Sequence, residues 1–255
     1  MAGSVYAVGV GPGSPGYLTG IAEEIIKGCS VVVGYEYTLR TIRHLTGGKT
    51  VRTVTMSSQE DVLQEVAASL GEGTLVVPFT GDANFSESEV IDRLAEIFGD
   101  VKIIPGISSV QVAAAMAGVP LDKSRVITMH VTSSIEDKKR EMREALASGL
   151  SVILIPRPWP KRPDKRFMPS EVASHLREYK FDTGGIRVSV FENLTTDRQA
   201  RFDGVVSELE GGREFSDLCV MVLNQARPDS YMNYRWQWEE GGTVPGNGAS
   251  ALGSG

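Results

Sequence analysis

The stretch YAVGVGPGSPGYLTG, residues 6–20, decides how the first half of this 255-residue chain folds. Its apolar start is typical of a buried strand, and the glycines and prolines that follow predict a tight turn. From Gly11 the stretch also contains Gly-x-Gly-x-x-Gly, the spacing of a dinucleotide-binding loop. Pro12 and Pro15 lie inside that spacing, and proline has no N–H group to donate to a pyrophosphate. We therefore interpret the stretch as a rigid turn, which disfavours an NAD-dependent oxidoreductase.

Outward from this turn, short apolar runs alternate with helical patterns along the whole chain. The runs that we predict as strands are SVYAVGV (4–10), SVVVG (30–34), TLVVPF (74–79), VKII (101–104), RVITMHV (125–131), LSVILIP (150–156), RVSVFEN (187–193) and LCVMVLN (218–224). Such alternation is typical of an α/β fold, in which helices cover both faces of a mostly parallel sheet.

The alternation of strands and helices is interrupted at AGVPLDKS, residues 117–124, where Gly, Pro and Asp indicate a linker. We predict an N-terminal α/β domain over residues 1–118 and a C-terminal α/β domain over residues 122–228. Residues 229–255 form a tail that ends in Gly, Ser and Ala, and we expect this tail to be partly disordered.

The composition indicates a cytoplasmic protein that binds neither nucleic acid nor membrane. A net charge of -6 argues against nucleic-acid binding through overall positive charge. No apolar run approaches the roughly 18–20 residues that a membrane-spanning helix needs, and we find no signal peptide. Cys29 and Cys219 each lie beside an apolar run, which predicts two buried, reduced thiols.

Three segments of the first half resemble the signatures of the tetrapyrrole methyltransferases, which use S-adenosylmethionine (SAM). VGVGPGSPGYLT (8–19) resembles their first signature and FTGDANFSES (79–88) their second. IIPGISSVQVAAAMAGVPL (103–121) resembles the third, a Pro-Gly-x-Ser-Ser turn that leads into an Ala-rich helix. In the second half, VFENLTTDRQARFDGVVSEL (190–209) is similar to a family stretch that carries Thr and Gln. FSDLCVMVL (215–223) is similar to the ending of the cobalt-precorrin-7 (carbon-5) methyltransferases of cobalamin synthesis.

This resemblance implies a two-domain tetrapyrrole methylase fold. Each domain would be a mostly parallel or mixed sheet flanked by helices, with the ligand site in the cleft between them. The implied reaction transfers a methyl group from SAM to carbon 5 of cobalt-precorrin-7 or precorrin-6Y. A homodimer is usual in the family. We expect only the carbon-5 activity here, with functional association with a separate carbon-15 methyltransferase/decarboxylase. The alternatives are another precorrin carbon, diphthine synthesis, or a non-catalytic tetrapyrrole carrier.

The resemblance also implies which residues border SAM. They are Gly11, Pro12, Thr80, Gly81, Asp82, Phe85, Ser108, Ser109, Ile155, Pro156 and Leu194. Other roles stay open, since the glycines can serve turn geometry alone. Asp82 can cap a helix that begins near Ser86, and the two serines can cap the helix that follows them. Transfer from a sulfonium to a nucleophilic ring carbon needs little acid–base work, so we expect neither a catalytic triad nor a metal.

The carboxylates of a tetrapyrrole predict cationic groups at the substrate side of the cleft. Arg157, Lys161 and Arg162 lie in the basic, proline-rich loop RPWPKRPDKRFMP (157–169), and a solvated surface loop is the alternative interpretation. His130 is a further candidate substrate contact, or else a hydrogen-bonded imidazole at a strand end. We expect His175 to lie on a helix surface.

Overall fold

The computed structural model describes residues 3–85, 88–159 and 162–225, and in them ten strands form two five-stranded sheets. All pairs of the first sheet are parallel, in the order β3-β2-β4-β1-β5. Its strands are β1 (Ser4–Gly9), β2 (Val31–Tyr35), β3 (Thr50–Val54), β4 (Thr74–Phe79) and β5 (Val101–Ile104).

Helices cover both faces of the first sheet. They are α1 (Gly20–Gly28), α2 (Glu36–Ile42), α3 (Gln59–Ser69) and α4 (Ser88–Phe98). Alternate strand residues face opposite sides, since Val32 packs with α1 and α2 whereas Val33 packs with α3 and α4. After β1 the chain continues into α1 on one face of the sheet, whereas after the neighbouring strand β4 it continues into α4 on the other face. In open α/β sheets, ligands bind beyond the carboxyl ends of strands at such a point.

The second sheet is mixed, in the order β6-β7-β10-β8-β9. Only β6 and β7 pair in parallel, and the other three pairs are antiparallel. Its strands are β6 (Ser124–Thr128), β7 (Ser151–Ile155), β8 (Arg187–Glu192), β9 (Ala200–Val205) and β10 (Cys219–Asn224), and the helices after β6 and β7 are α6 (Glu136–Ala147) and α7 (Pro169–Glu178). Parallel and mixed sheets flanked by helices confirm the predicted fold class.

The helix α5 (Ser109–Ala117) joins the two halves. It follows the last strand of the first sheet, yet its apolar side packs on the second sheet. There Val112 and Ala113 belong to one buried cluster with Ile153 and Val222. The domain boundary between residues 118 and 122 stays a prediction, and α5 lies on its N-terminal side.

Short 3-10 helices lie between the longer elements. They are Pro15–Tyr17, Arg43–Leu45, Leu121–Lys123, Pro163–Lys165 and Val206–Leu209.

The two cysteines, Cys29 and Cys219, are both buried and unpaired, as predicted. Within the described ranges, no helix is long and apolar enough to span a membrane. The predicted disordered tail, residues 229–255, lies outside the described residues.

Candidate functional site

Three glycines bring the ends of β1, β4 and β5 into backbone contact. A Cβ atom on Gly106 would collide with the carbonyl oxygen of Gly81 and lie 2.7 Å from the backbone of Gly9. A Cβ atom on Gly9 would lie only 2.6 Å from the backbone nitrogen of Gly106. The three signature turns therefore converge at the carboxyl edge of the first sheet, and only residues without a side chain fit there.

Gly11 and Gly81 hold two of these turns together. The N–H of Gly81 donates to the carbonyl oxygen of Gly11 at 2.7 Å, and the reciprocal bond is 3.2 Å long. Both residues have left-handed backbones, with φ of 79° and 75°. Neither is among the residues that line the cavity beyond this edge. Their hydrogen bonds serve turn geometry, and their role as ligand contacts stays a prediction.

A cavity of about 540 Å³ lies beyond this edge, between the signature turns and the loops of the second sheet. This volume is typical of a small-molecule site. The structure brings eight predicted residues into its wall: Pro12, Thr80, Phe85, Ser108, Ser109, His130, Ile155 and Leu194. Residues from both halves of the chain thus form one site, as the cleft hypothesis requires.

Ser108 has two roles in this wall. Its hydroxyl oxygen accepts the N–H of Val110 at 3.3 Å, and its own N–H donates to Oε1 of Gln111 at 2.8 Å. These two bonds cap the first turn of α5 reciprocally. Because Ser108 also lines the cavity, the capping and ligand-binding interpretations are compatible.

Asp82 and Pro156 lie away from the cavity wall. Oδ1 of Asp82 accepts the N–H of Asn84 at 2.9 Å, which forms a local turn. Within the described residues, α4 begins at Ser88, so the capping role of Asp82 stays a prediction. Pro156 is buried and follows β7 directly. Their predicted contacts with SAM stay a prediction.

The described residues of the basic loop lie outside the cavity wall. Arg157 is only 6% exposed, and its guanidinium donates to the carbonyl oxygens of Lys165 at 2.5 Å and Ser133 at 3.1 Å. Arg162 points to solvent and pairs with Asp164. Neither arginine is among the residues that line the cavity, and their role as substrate contacts stays a prediction. Lys161 lies outside the described residues.

Sequence reasoning missed the cations that do line the cavity. Arg40 comes from α2 and Arg198 from the loop between β8 and β9. Other wall residues that we did not predict include Tyr37, Thr41, Asn193, Thr195, Thr196, Asp197 and Asp217. A signal for Arg40 was available, because α2 starts at the carboxyl end of β2 and so at the same edge as the signature turns.

The wall contains titratable groups with shifted pKa values. Burial among protein atoms lowers the pKa of His130, and the nearby Asp217 carboxylate only partly opposes this effect. The lowered pKa favours the neutral imidazole, although His130 as a residue is exposed to solvent. Burial raises the pKa of Cys219 to about 12, so this thiol is protonated and unreactive. Within the described part of the chain, no cluster of three or more His, Cys, Asp or Glu could hold a metal.

The model of one protein family, described as Tetrapyrrole (Corrin/Porphyrin) Methylases, matches residues 4–210. Two relatives from Methanocaldococcus jannaschii match most of the chain. A probable cobalt-factor III C(17)-methyltransferase is 25% identical over 229 residues, covering 86% of this chain and 90% of that protein. A probable cobalt-precorrin-7 C(5)-methyltransferase is 26% identical over 221 residues, covering 86% of this chain and 96% of that protein.

Solved structures share the fold. The methyltransferase CobJ superposes with a TM-score of 0.69 at 22% identity, covering 88% of this chain and 95% of its own. The precorrin-6Y methylase of Archaeoglobus fulgidus superposes with a TM-score of 0.62 at 21% identity, covering 88% of this chain and 99% of its own. These similarities confirm the two-sheet architecture.

Proposed function

Because the chain belongs to the tetrapyrrole (corrin/porphyrin) methylase family and is a methyltransferase, we propose that it methylates carbon 5 of cobalt-precorrin-7 or precorrin-6Y with SAM as the donor. The single observation that carries this proposal is the cavity, whose wall combines the signature turns of the first half with loops of the second. The C(5)-methyltransferase relative, which the match covers almost completely, supports the ring position.

The residues that line the cavity suit the chemical groups of SAM. Phe85, Ile155 and Leu194 supply apolar surface of the kind that an adenine ring packs against. The hydroxyl groups of Thr80 and Ser109 can hydrogen-bond the ribose or the amino-acid end. SAM also carries positive charge, and the carboxylates of Asp197 and Asp217 on the same wall favour a cationic ligand.

When bound, SAM supplies a methyl group on a positively charged sulfur. The chain's own contribution is to bind, orient and dehydrate the reactants. The rigid turns fix one wall and the loops of the second sheet fix the other, and such positioning lowers a barrier by roughly 7–11 kcal/mol in favourable cases. The buried side chains around Ile155 and Leu194 limit water on that side, which favours loss of the sulfonium charge as the methyl leaves.

The acceptor carries several carboxylates, and the two cavity arginines are the groups suited to bind them. Arg40 and Arg198 replace Arg157 and Arg162 in this role. Guanidinium groups pair with carboxylates through two parallel hydrogen bonds. A specific observation favours a second acceptor, since the C(17)-methyltransferase relative matches about as well as the C(5) relative.

Calorimetry and a labelling assay test these proposals. S-adenosylhomocysteine should bind the wild-type protein, and binding of NADH in its place would overturn the methyltransferase site. Labelled SAM should then transfer label to cobalt-precorrin-7. Label transferred only to cobalt-factor III would establish the C(17) alternative.

Arginine variants test the acceptor side. Arg198→Ala should raise KM for the macrocycle about tenfold, the effect of losing roughly 1.4 kcal/mol of binding, with unchanged affinity for S-adenosylhomocysteine. The matched control is Arg125→Ala, because Arg125 is an exposed arginine paired with Glu141 outside the cavity wall.

A further inference from the structure

The loop between β8 and β9 carries two residues in a left-handed conformation. Asn193 has φ of 46° and Thr195 has φ of 67°. Asparagine adopts this conformation readily, whereas a β-branched threonine rarely does. Such backbone strain persists only where surrounding contacts fix it, and it concentrates at functional sites.

Hydrogen bonds within the loop fix the strained conformation. The N–H of Thr195 donates to Oε1 of Gln199 at 2.6 Å. The hydroxyl of Thr196 donates to the carbonyl oxygen of Asn193 at 2.7 Å. Asn193 in turn donates its N–H to the carbonyl oxygen of Leu218 at 2.8 Å, which ties the loop to another part of the cavity wall.

The Thr195 hydroxyl reaches from this loop to the opposite wall of the cavity. Its oxygen accepts the N–H of Ser14 at 2.9 Å, although the two residues are 181 positions apart. The turn and the loop approach closely beside this bond, since a Cβ atom on Gly13 would lie 2.6 Å from Cγ2 of Thr196 and 3.2 Å from the carbonyl oxygen of Leu194. We call the Ser14–Thr195 hydrogen bond the cross-cavity bond.

The cross-cavity bond holds a segment that has few backbone donors of its own. Pro12 and Pro15 have no N–H groups, so Gly13 and Ser14 carry the only backbone donors of residues 12–15. All four residues line the cavity. Within the described residues, the Ser14 N–H is a backbone donor that attaches this turn to the second half of the chain.

We propose that Thr195 is a positioning residue for methyl transfer: its hydroxyl fixes the turn at residues 12–15 against the β8–β9 loop and so sets the spacing between the two walls of the cavity. The inference rests on the proposed function, in which that cavity holds the methyl donor. Thr195 acts through the turn and needs no contact with either reactant.

Three variants separate the hydroxyl from the backbone strain. Thr195→Val keeps the shape and the β-branch but removes the acceptor, so affinity for S-adenosylhomocysteine should fall roughly two- to tenfold, the usual effect of one hydrogen bond. Thr195→Ser keeps the hydroxyl and should restore the affinity. Glycine adopts the left-handed backbone without strain, so the Thr195→Gly protein should unfold at a temperature no lower than the Thr195→Val protein. It should bind S-adenosylhomocysteine as weakly as Thr195→Val, because it also lacks the hydroxyl.

Hydrogen exchange of the Ser14 amide gives a readout that needs no ligand. In the full-length protein, this amide should exchange roughly two- to tenfold faster in Thr195→Val than in Thr195→Ser, because only the latter keeps the acceptor. Equal exchange rates in the two variants would show that the cross-cavity bond does not form, which overturns the proposal.

The remaining outcomes are also decisive. Faster Ser14 exchange in Thr195→Val with wild-type affinity for S-adenosylhomocysteine would establish the bond but overturn the positioning role. Failure of the wild-type protein to bind S-adenosylhomocysteine would overturn the proposed function and the positioning role together, while the exchange rates would still report on the bond.

Discussion

At the scale of single residues, Arg157 is a cation that stabilises the chain from inside. Its guanidinium donates to the carbonyl oxygens of Lys165 and Ser133, and a longer contact of 3.5 Å reaches Val131. Arg157→Ala removes these part-buried hydrogen bonds to a charged group, so we expect the free energy of unfolding to fall by about 1.5–3 kcal/mol. Urea denaturation measures this change.

The matched control for Arg157 is Arg162→Ala in the same loop. Arg162 is exposed and, among the described residues, forms its ion pair with Asp164, so its removal should leave the urea midpoint unchanged. If Arg157→Ala were as stable as the wild-type protein but defective in macrocycle binding, Arg157 would be a substrate contact, as the sequence predicted.

His175 was predicted on a helix surface, and this prediction is wrong. The side chain is buried in α7, where Nε2 accepts a hydrogen bond from Nη1 of Arg143 at 2.8 Å. Burial is the main cause that lowers the pKa of His175, and the positive charges of Arg143 and Lys139 lower it further. The carboxylates of Glu178 and Glu136 only partly oppose these effects. The folded protein therefore favours the neutral imidazole.

This lowered pKa predicts a pH dependence of stability. The unfolded chain takes up a proton near the ordinary value of 6.5, whereas the folded chain does so only at lower pH. The contribution of His175 to stability is thus fully present above pH 6.5 and is lost as the pH falls below it. His130 contributes with the same sign.

Unfolding curves across this pH range test the assignment. His175→Gln can still accept the hydrogen bond from Arg143 but does not titrate, so its stability should fall less steeply between pH 7 and 5. The exposed His44→Gln serves as the control and should keep the wild-type slope. Identical slopes in all three proteins would contradict the role of His175.

At the scale of secondary-structure elements, the contact of Gly9, Gly81 and Gly106 fixes how β1, β4 and β5 end. Gly106→Ala places a Cβ atom against the carbonyl oxygen of Gly81 and the backbone of Gly9. Since backbone atoms cannot yield as a flexible side chain does, we expect a loss of at least about 2 kcal/mol in unfolding free energy. Weaker binding of S-adenosylhomocysteine should accompany this loss.

A second glycine provides the comparison. Gly28 ends α1, and a Cβ atom there would meet nothing within 4 Å. Gly28→Ala should be neutral or stabilise the protein by up to about 1 kcal/mol. Equal thermal stability of the two variants would mean that the three turns do not touch.

The elements also show what a sequence can and cannot predict. Buried strands such as β4 stand out as continuous apolar runs, but β3 and β9 were missed. Both are edge strands that bury few of their residues. Because exposed positions do not need apolar side chains, these strands show no apolar run in the sequence. The signature turns do lie at the cavity. The burial of Arg157 and the place of Arg40 in the cavity wall were missed because they depend on tertiary contacts between distant segments, which spacing along the chain does not encode.

At the scale of the whole molecule, α5 makes the stability of the second sheet depend on residues that precede it. Val112 and Ala113 cover Ile153 and Val222, which are completely buried in the intact chain. A fragment that starts at residue 122, the predicted domain start, would expose this apolar face to water. Such exposed patches promote aggregation and remove the hydrophobic contribution to folding.

Two fragments put this dependence to the test. Residues 122–225 should aggregate or unfold without a cooperative transition, whereas residues 105–225 retain α5 and should unfold cooperatively in urea. Within the longer fragment, Ala113→Asp would place a charge in the buried contact and should abolish that transition, since an unpaired buried charge is strongly destabilising. The exposed Gln111→Asp in the same helix is the control, although it also removes one capping bond and should lower the midpoint slightly. If residues 122–225 fold as cooperatively as residues 105–225, α5 is dispensable to the second sheet and the boundary predicted from the sequence is the physical one.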